Sequence, residues 1–221
     1  NVISIPKNPP TIMNGGSTFT ISSTDWIDSL EWIKNNTPKD AVIGAWWDYG
    51  YWIQTLAERA TLADNSTTHD GMIKKIAKAF LSSPDEGRDI LLEMQADYVL
   101  IFISGQRLST DNDGQPLYLL HGGGDESKKY WFMKIADEPL PKYLYSDGIS
   151  GTDYFWNETL LGKMTPFTPE AYVNHNNEQS AIYQPGFFPV YSKDIKFPID
   201  ENGPLRLVYT SPSFDVEKGG T

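Results

Sequence analysis

Ala41-Val42-Ile43-Gly44-Ala45 is an apolar run of strand length, and Trp46-Trp47-Asp48-Tyr49-Gly50 follows it without a spacer. A helix is expected next, from about Tyr51 to Ala57, and then a second short strand at Thr61 to Ala63. Strand, helix and strand in quick succession point to a parallel pair. Upstream, Thr24 or Asp25 can cap a helix running to about Asn35, with Trp26, Leu30 and Ile33 on one face and Pro38 as the stop. Downstream, Met72, Ile76 and Phe80 recur every four residues with Lys74, Lys75 and Lys78 opposite them, which predicts an amphipathic helix over 69–82.

Ser83-Pro84-Asp85-Glu86 is a complete helix start: N-cap, proline at the first helical position, and the glutamate of a capping box. Ile90, Leu91 and Met94 of that helix should face inward. Tyr98 to Ile103 reads as a buried strand, Asp111-Asn112-Asp113-Gly114 as a hairpin tip, and Asp125 to about Ala136 as a helix after three glycines. Beyond Pro139 the composition turns to Pro, Gly and Tyr with short strands such as Leu205 to Thr210. The expected fold is α/β: a mixed, mostly parallel small sheet covered by helices, with a β-rich C-terminal part. Residues 1–23 read as an irregular lead-in and 24–221 as one globular domain, with an α/β core at 24–140 and the β-rich remainder at 141–221. Ligands of such sheets bind beyond the carboxyl ends of the strands, where Trp46 to Gly50 stand.

Composition narrows the chemistry. The 221 residues are 39% hydrophobic and 21% charged, which suits a folded chain with a full core. Cysteine is absent, which excludes disulfides, thiolate metal sites and a cysteine nucleophile. Eighteen Lys and Arg against 29 Asp and Glu leave a net charge of −11, which repels phosphate backbones, so nucleic acid is not an expected partner. No apolar run approaches the ~18 residues of a membrane span. The first residues lack the charged and apolar regions of a signal peptide, and the chain starts as a cut fragment would.

Several motifs carry little. His121-Gly122-Gly123-Gly124 is similar to an oxyanion-hole loop, but Gly-x-Ser-x-Gly is missing from the chain. Ser109-x-Asp111-x-Asp113-Gly114 half-matches a calcium loop without its terminal carboxylates. His69, His121 and His175 show no metal spacing. Asn35, Asn65 and Asn157 each begin an Asn-x-Ser/Thr triplet of a kind that arises by chance. The tryptophans are a stronger signal, because five of the seven fall between Trp26 and Trp52. Trp46-Trp47-Asp48-Tyr49-Gly50 has two readings. In one, the indoles plug the sheet edge and Asp48 caps the next helix. In the other, two indole N–H donors flank a carboxylate acceptor in a pocket for a small hydroxyl, and Gly50 lets a ligand backbone come close.

The pentapeptide resembles the signature of the catalytic subunit of oligosaccharyltransferase, of the archaeal AglB type. Tyr51-Trp52-Ile53, Arg59, Thr61-Leu62-Ala63-Asp64-Asn65, Ser83-Pro84-x-Glu86 and Asp97-Tyr98-Val99-Leu100 resemble its continuation, and Leu207 to Thr210 resembles its ending. The resemblance implies a glycosyltransferase that moves an oligosaccharide from a lipid carrier to Asn of Asn-x-Ser/Thr. In that family Trp46, Trp47 and Asp48 would bind the Ser or Thr hydroxyl, with Tyr49 and Gly50 completing the motif. A second motif, Asp-x-x-Lys-x-x-x-Met or Ile on a helix, is matched imperfectly. Lys129 with Met133 is the favoured frame, with Glu126 or Asp125 as its acid; the other frame, Asp125 with Lys128, ends on Phe132. The implied divalent metal, Mn or Mg, and the bond-forming carboxylates would belong to a multi-spanning membrane part, so no catalytic residue and no metal is expected in this stretch. The implied partners are an acceptor polypeptide, a lipid-linked oligosaccharide and the chain's own membrane domain, with this domain on the extracytoplasmic side. The rival reading is a secreted carbohydrate-binding module, which would present separated aromatic platforms on a β-sandwich. A glycosidase using two of the many carboxylates is the third.

Overall fold

The computed structural model describes residues 24–111, 113–120, 122–199 and 203–214. The expected lead-in at 1–23 lies outside them, as does His121. Helix α1 (Asp25–Asn36) buries Trp26, Leu30 and Ile33, the face its periodicity predicts. Buried Arg59 holds the C-terminal end of α1. Its guanidinium donates to the carbonyls of Lys34 and Thr37 and to the Thr37 hydroxyl, placing a cation where the helix dipole is negative.

Strand β1 (Val42–Gly44) is followed by a 3₁₀ turn at Trp47–Tyr49, helix α2 (Gly50–Thr55) and strand β2 (Ala60–Thr61). Helices α3 (Asp70–Leu81) and α4 (Pro84–Glu93) precede strand β3 (Tyr98–Val99). The three strands form a parallel sheet in the order β2-β1-β3, with Ile43 opposite both Thr61 and Tyr98. The capping box start of α4 is as expected: Ser83 Oγ accepts the Glu86 amide and Pro84 opens the helix. The strand expected over 98–103 stops early. Leu100 still donates to the Gly44 carbonyl, but Phe102 exchanges its backbone bonds with Asp125 and no longer follows a neighbouring strand.

Strands β4 (Gly105–Thr110) and β5 (Pro116–Leu120) form the predicted hairpin. At its tip Asp111 Oδ1 accepts the amides of Asp113 and Gln115, so the would-be calcium loop spends this carboxylate on its own turn. A second 3₁₀ turn at Asp125–Lys128 leads into α5 (Lys129–Ala136). Short helices α6 (Leu140–Tyr143), α7 (Asp153–Glu158) and α8 (Leu160–Met164) come before β6 (Phe167–Val173), β7 (Gln179–Ser180) and β8 (Phe188–Lys193). The second sheet is antiparallel, in the order β4-β5-β8-β6-β7. It is the β-rich part, but it draws its first two strands from before residue 140, and 140–164 is largely helical. Leu205 to Thr210 is not a strand. The Leu207 amide reaches the Phe197 carbonyl and Tyr209 stacks on Trp32 at 4.8 Å, contacts that build no ladder.

The core lies between the parallel sheet and helices α3 and α5. Phe132 is fully buried, edge-on to both Trp46 and Phe80 with ring centroids 4.4 and 5.6 Å away. This packing sets the first turn of α5 against the loop that leaves β1.

Candidate functional site

The loop beyond β1 is held from below by a close backbone approach. A Cβ on Gly50 would lie 2.3 Å from Asp64 Cα and 2.5 Å from the Ala63 carbonyl oxygen. Gly50 has ordinary helical φ, so glycine is required by space and not by backbone geometry. The space that a side chain at this position would take belongs to the chain's own 63–64 segment. Asn65 adds a clamp. Its side-chain amide donates to the Asp48 carbonyl at 3.0 Å, and its side-chain oxygen accepts the Tyr51 amide at 3.2 Å.

Above this base, four side chains converge from two distant segments. Lys128 Nζ donates to Asp48 Oδ2 at 2.7 Å, to the Tyr49 hydroxyl at 2.9 Å and to Asp125 Oδ1 at 3.3 Å. The Tyr49 hydroxyl donates to Asp125 Oδ1 at 2.8 Å, and the Phe102 amide donates to Asp125 Oδ2 at 2.9 Å. The Asp125 side chain is inaccessible to solvent, that of Lys128 is 16% exposed, and that of Asp48 is 33% exposed. Exposure thus rises from the anchoring acid, through the cation, to the acid at the surface. Asp48 Oδ1 has no hydrogen-bond partner among the described residues and can take an incoming donor.

Burial raises the Asp125 pKa, opposed by the Lys128 charge and by the Phe102 and Tyr49 donors. Tyr49 is pushed well up, first by burial and then by the Asp125 charge, so it stays protonated and donates. The 3₁₀ form of 125–128 matters here, because i and i+3 are eclipsed in that helix and Asp125 and Lys128 share one face.

The predicted residues separate into two groups. Trp47, Asp48, Tyr49 and Asp125 meet at this cluster or border it, together with Lys128. Trp46 is 3% exposed and belongs to the core, 6.4 Å from the Trp47 ring. Lys129, Met133 and Glu126 are on the other side of the turn and helix. Met133 is fully buried, and Lys129 is 5% exposed. The Lys129 ammonium donates to the Glu126 carbonyl and lies over the rings of Phe155 and Trp156. Neither Lys129 nor Met133 borders the surface at Asp48; it is Lys128, with Asp125, the pair of the other frame, that reaches the Asp48 carboxylate. One residue of helix rotates a side chain by roughly 100°, and packing against α7 draws Lys129 inward. Burial raises the Glu126 pKa to about 7 and lowers that of Lys129 to about 8. Asn65 stands in the sequence as the start of a triplet and the end of the family-like stretch from Thr61, and its clamp on Asp48 is visible only in three dimensions.

A family model for the STT3/PglB/AglB core domain matches residues 38–103, the span that carries the parallel sheet, the pentapeptide loop and Asn65. The stt-3 subunit of the Caenorhabditis elegans dolichyl-diphosphooligosaccharide–protein glycosyltransferase is 32% identical over 143 residues. The chain belongs to the STT3/PglB/AglB family. The nematode match covers 62% of the chain and 17% of that protein. The Schizosaccharomyces pombe stt3 subunit is 32% identical over 160 residues, covering 70% of the chain and 20% of its own length. This family chain therefore spans about a fifth or less of those relatives. Among solved structures, the C-terminal globular domain of an Archaeoglobus fulgidus oligosaccharyltransferase is 22% identical, with a TM-score of 0.43 over 78% of this chain and 98% of that one. A second oligosaccharyltransferase from that organism, tethered to an acceptor peptide containing an NVT sequon, is 15% identical with a TM-score of 0.42, over 76% of this chain and 20% of that one.

Proposed function

We propose that this chain is the acceptor-recognition domain of an oligosaccharyltransferase, the C-terminal domain of a membrane enzyme that transfers a lipid-linked oligosaccharide to Asn of Asn-x-Ser/Thr. The observation that carries the reading is the half-exposed Asp48 carboxylate. Lys128 holds one oxygen, the other is unengaged among the described residues, and the group stands at the carboxyl edge of a parallel sheet. The acceptor hydroxyl donates to that oxygen. Half-buried Trp47, next in the chain to Asp48, with Trp46 filling the core behind it, would keep water from competing.

This arrangement fits a poor nucleophile. An Asn amide reacts only when its geometry is fixed beforehand, and holding the residue two positions on fixes the backbone between them. Losing a hydrogen bond to a charged group costs about 1.5–3 kcal/mol, or roughly ten- to a hundredfold in occupancy. A residue without the hydroxyl leaves the second Asp48 oxygen desolvated and without a donor, which rejects Ala and Val. Lys128 is the positioning group, because Asp125 and Tyr49 fix it and it fixes Asp48.

Transfer itself belongs to the membrane part of the enzyme, on whose extracytoplasmic side this domain works. The divalent metal would also sit there. Among the described residues no three His, Asp or Glu side chains gather as a ligand set. Among them, too, no helix is long and apolar enough to cross a membrane.

The test is Asp48→Asn in the full-length enzyme, with transfer to an Asn-x-Thr peptide and the melting temperature read together. Transfer should fall at least tenfold while the melting temperature stays within about 3 °C. Unchanged transfer would overturn the reading. A large drop in melting temperature would make Asp48 a structural partner of Lys128 instead.

A further inference from the structure

A cavity of about 320 Å³ lies beside the Asp48 cluster, formed almost entirely by the 61–73 segment. Its floor is apolar, with Leu62, Met72 and Ile73. Its rim is polar, with Asp64, Thr68 and His69. The volume is at the lower end of the range for small-molecule sites and is ample for one long side chain.

The rim is a built loop. Asp64 Oδ1 accepts both the amide and the hydroxyl of Ser66, and Gln54 reaches Asp64 Oδ2 at 3.2 Å. These donors hold the Asp64 carboxyl below its ordinary range, the Ser66 hydroxyl first, so it is ionised at neutral pH. Two carboxylate oxygens offer about four acceptor positions, and these three bonds leave one open. The Ser66 and Thr68 hydroxyls lie 3.1 Å apart. Thr67 sits at φ +51°, a region β-branched residues avoid, so the loop is maintained in a costly conformation. Asn65, between Asp64 and Ser66, is the residue that clamps the Asp48 carbonyl, so cavity and cluster share one support.

Resting on the acceptor-recognition reading, we propose that this cavity is a second acceptor subsite, taking a basic side chain two to four residues from the hydroxyl-bearing one. An extended chain advances about 3.3 Å per residue, so that spacing covers roughly 7–13 Å. The aliphatic stem of Lys or Arg lies along Leu62 and Met72 while its charged end meets Asp64 at the rim, the division of labour such side chains favour. The net charge of −11 adds attraction for a basic acceptor segment.

The experiment titrates the ¹⁵N-labelled chain with synthetic peptides bearing Asn-Ala-Thr or Asn-Ala-Ala, with Lys or Ala scanned two to four residues to either side. At one position Lys should bind about tenfold more tightly than Ala, and the amide signals of Ser66 to His69 should move. Asp64→Asn should remove that gain while leaving the preference for Thr over Ala. Because Asp64 also holds Ser66, Thr68→Lys on the exposed rim provides a second variant. It fills the site with a competing cation and should remove the gain too. No Lys gain at any position, or a gain that survives both variants, overturns the subsite. A Lys gain that both variants remove, without a Thr-over-Ala preference, supports the cavity as a site for basic side chains and overturns the Asp48 reading instead.

Discussion

The Lys128 ammonium lies 2.7 Å from Asp48 Oδ2, although 80 positions separate the two residues. The same ammonium reaches Asp125, three positions away and fully buried. One cation thus serves a buried carboxylate and a half-exposed one, and it ties the start of α5 to the end of β1.

The two neighbouring lysines should respond differently to removal. Lys128→Met leaves Asp125 buried without its cation, which should cost about 2–3 kcal/mol and lower the melting temperature by about 4–12 °C. Lys129→Met removes a desolvated charge whose partner Glu126 can take up a proton instead, so stability should change by about 1 kcal/mol or less. Thermal melts of both variants at pH 7 check this. Equal losses would show that Lys128 has no special tie to Asp125.

Gly50→Ala should destabilise the chain by about 3 kcal/mol, since its Cβ would fall inside the backbone of Asp64 and the β2 connection would have to move. Urea unfolding measures it. A loss of a few tenths of a kcal/mol, the ordinary range for such a change in a helix, would mean that the approach relaxes easily.

Asn65→Ala removes two surface hydrogen bonds and should cost only about 1 kcal/mol in stability. It should nevertheless weaken acceptor-peptide binding several-fold, because the Asp48 backbone loses its clamp. Calorimetric titration against an Asn-x-Thr peptide, beside a melt, separates the two effects. Unchanged affinity would make Asn65 a loop residue only.

Glu126 gives a pH dependence with a defined sign. Its folded pKa, about 7, is above the ordinary 4.5, with burial as the main cause. Its contribution to stability is therefore complete below about 4.5 and is lost as pH rises through about 7. Lys129 is held down at about 8 from 10.5, so its contribution is present above about 10.5 and is lost as pH falls toward 8. Glu126→Gln should gain on the parent as pH goes from 5 to 7.5, read as the difference in melting temperature between the two proteins. A difference that stays flat across that range would place the Glu126 titration elsewhere.

Much of the architecture is legible in local sequence. The capping box at Ser83 to Glu86, the apolar face of α3 and the Asp-rich hairpin tip all appear where the residues put them, because each depends on contacts within a few positions. The pentapeptide loop was legible for the same reason: a strand of apolar residues ends and the loop follows it. Leu205 to Thr210 has strand-like composition but finds no partner strand among the described residues, and pairing is a tertiary event.

The local signals for Asp125–Lys128 and Glu126–Lys129 pointed in opposite directions: the aspartate favoured the first and Met133 the second. Both frames place an acid three residues before a lysine, and the two differ by a single residue of rotation. Which lysine reaches Asp48 is a tertiary matter, and it is Lys128. Phe132 packs on Trp46, the Phe102 backbone hydrogen-bonds with Asp125, and the α7 aromatics lie over Lys129, so the turn can settle in only one orientation. Gly50 shows the same division. Its place in the motif is written in the chain, but the reason for it, a backbone 14 residues further on passing within van der Waals distance, exists only once the chain has folded.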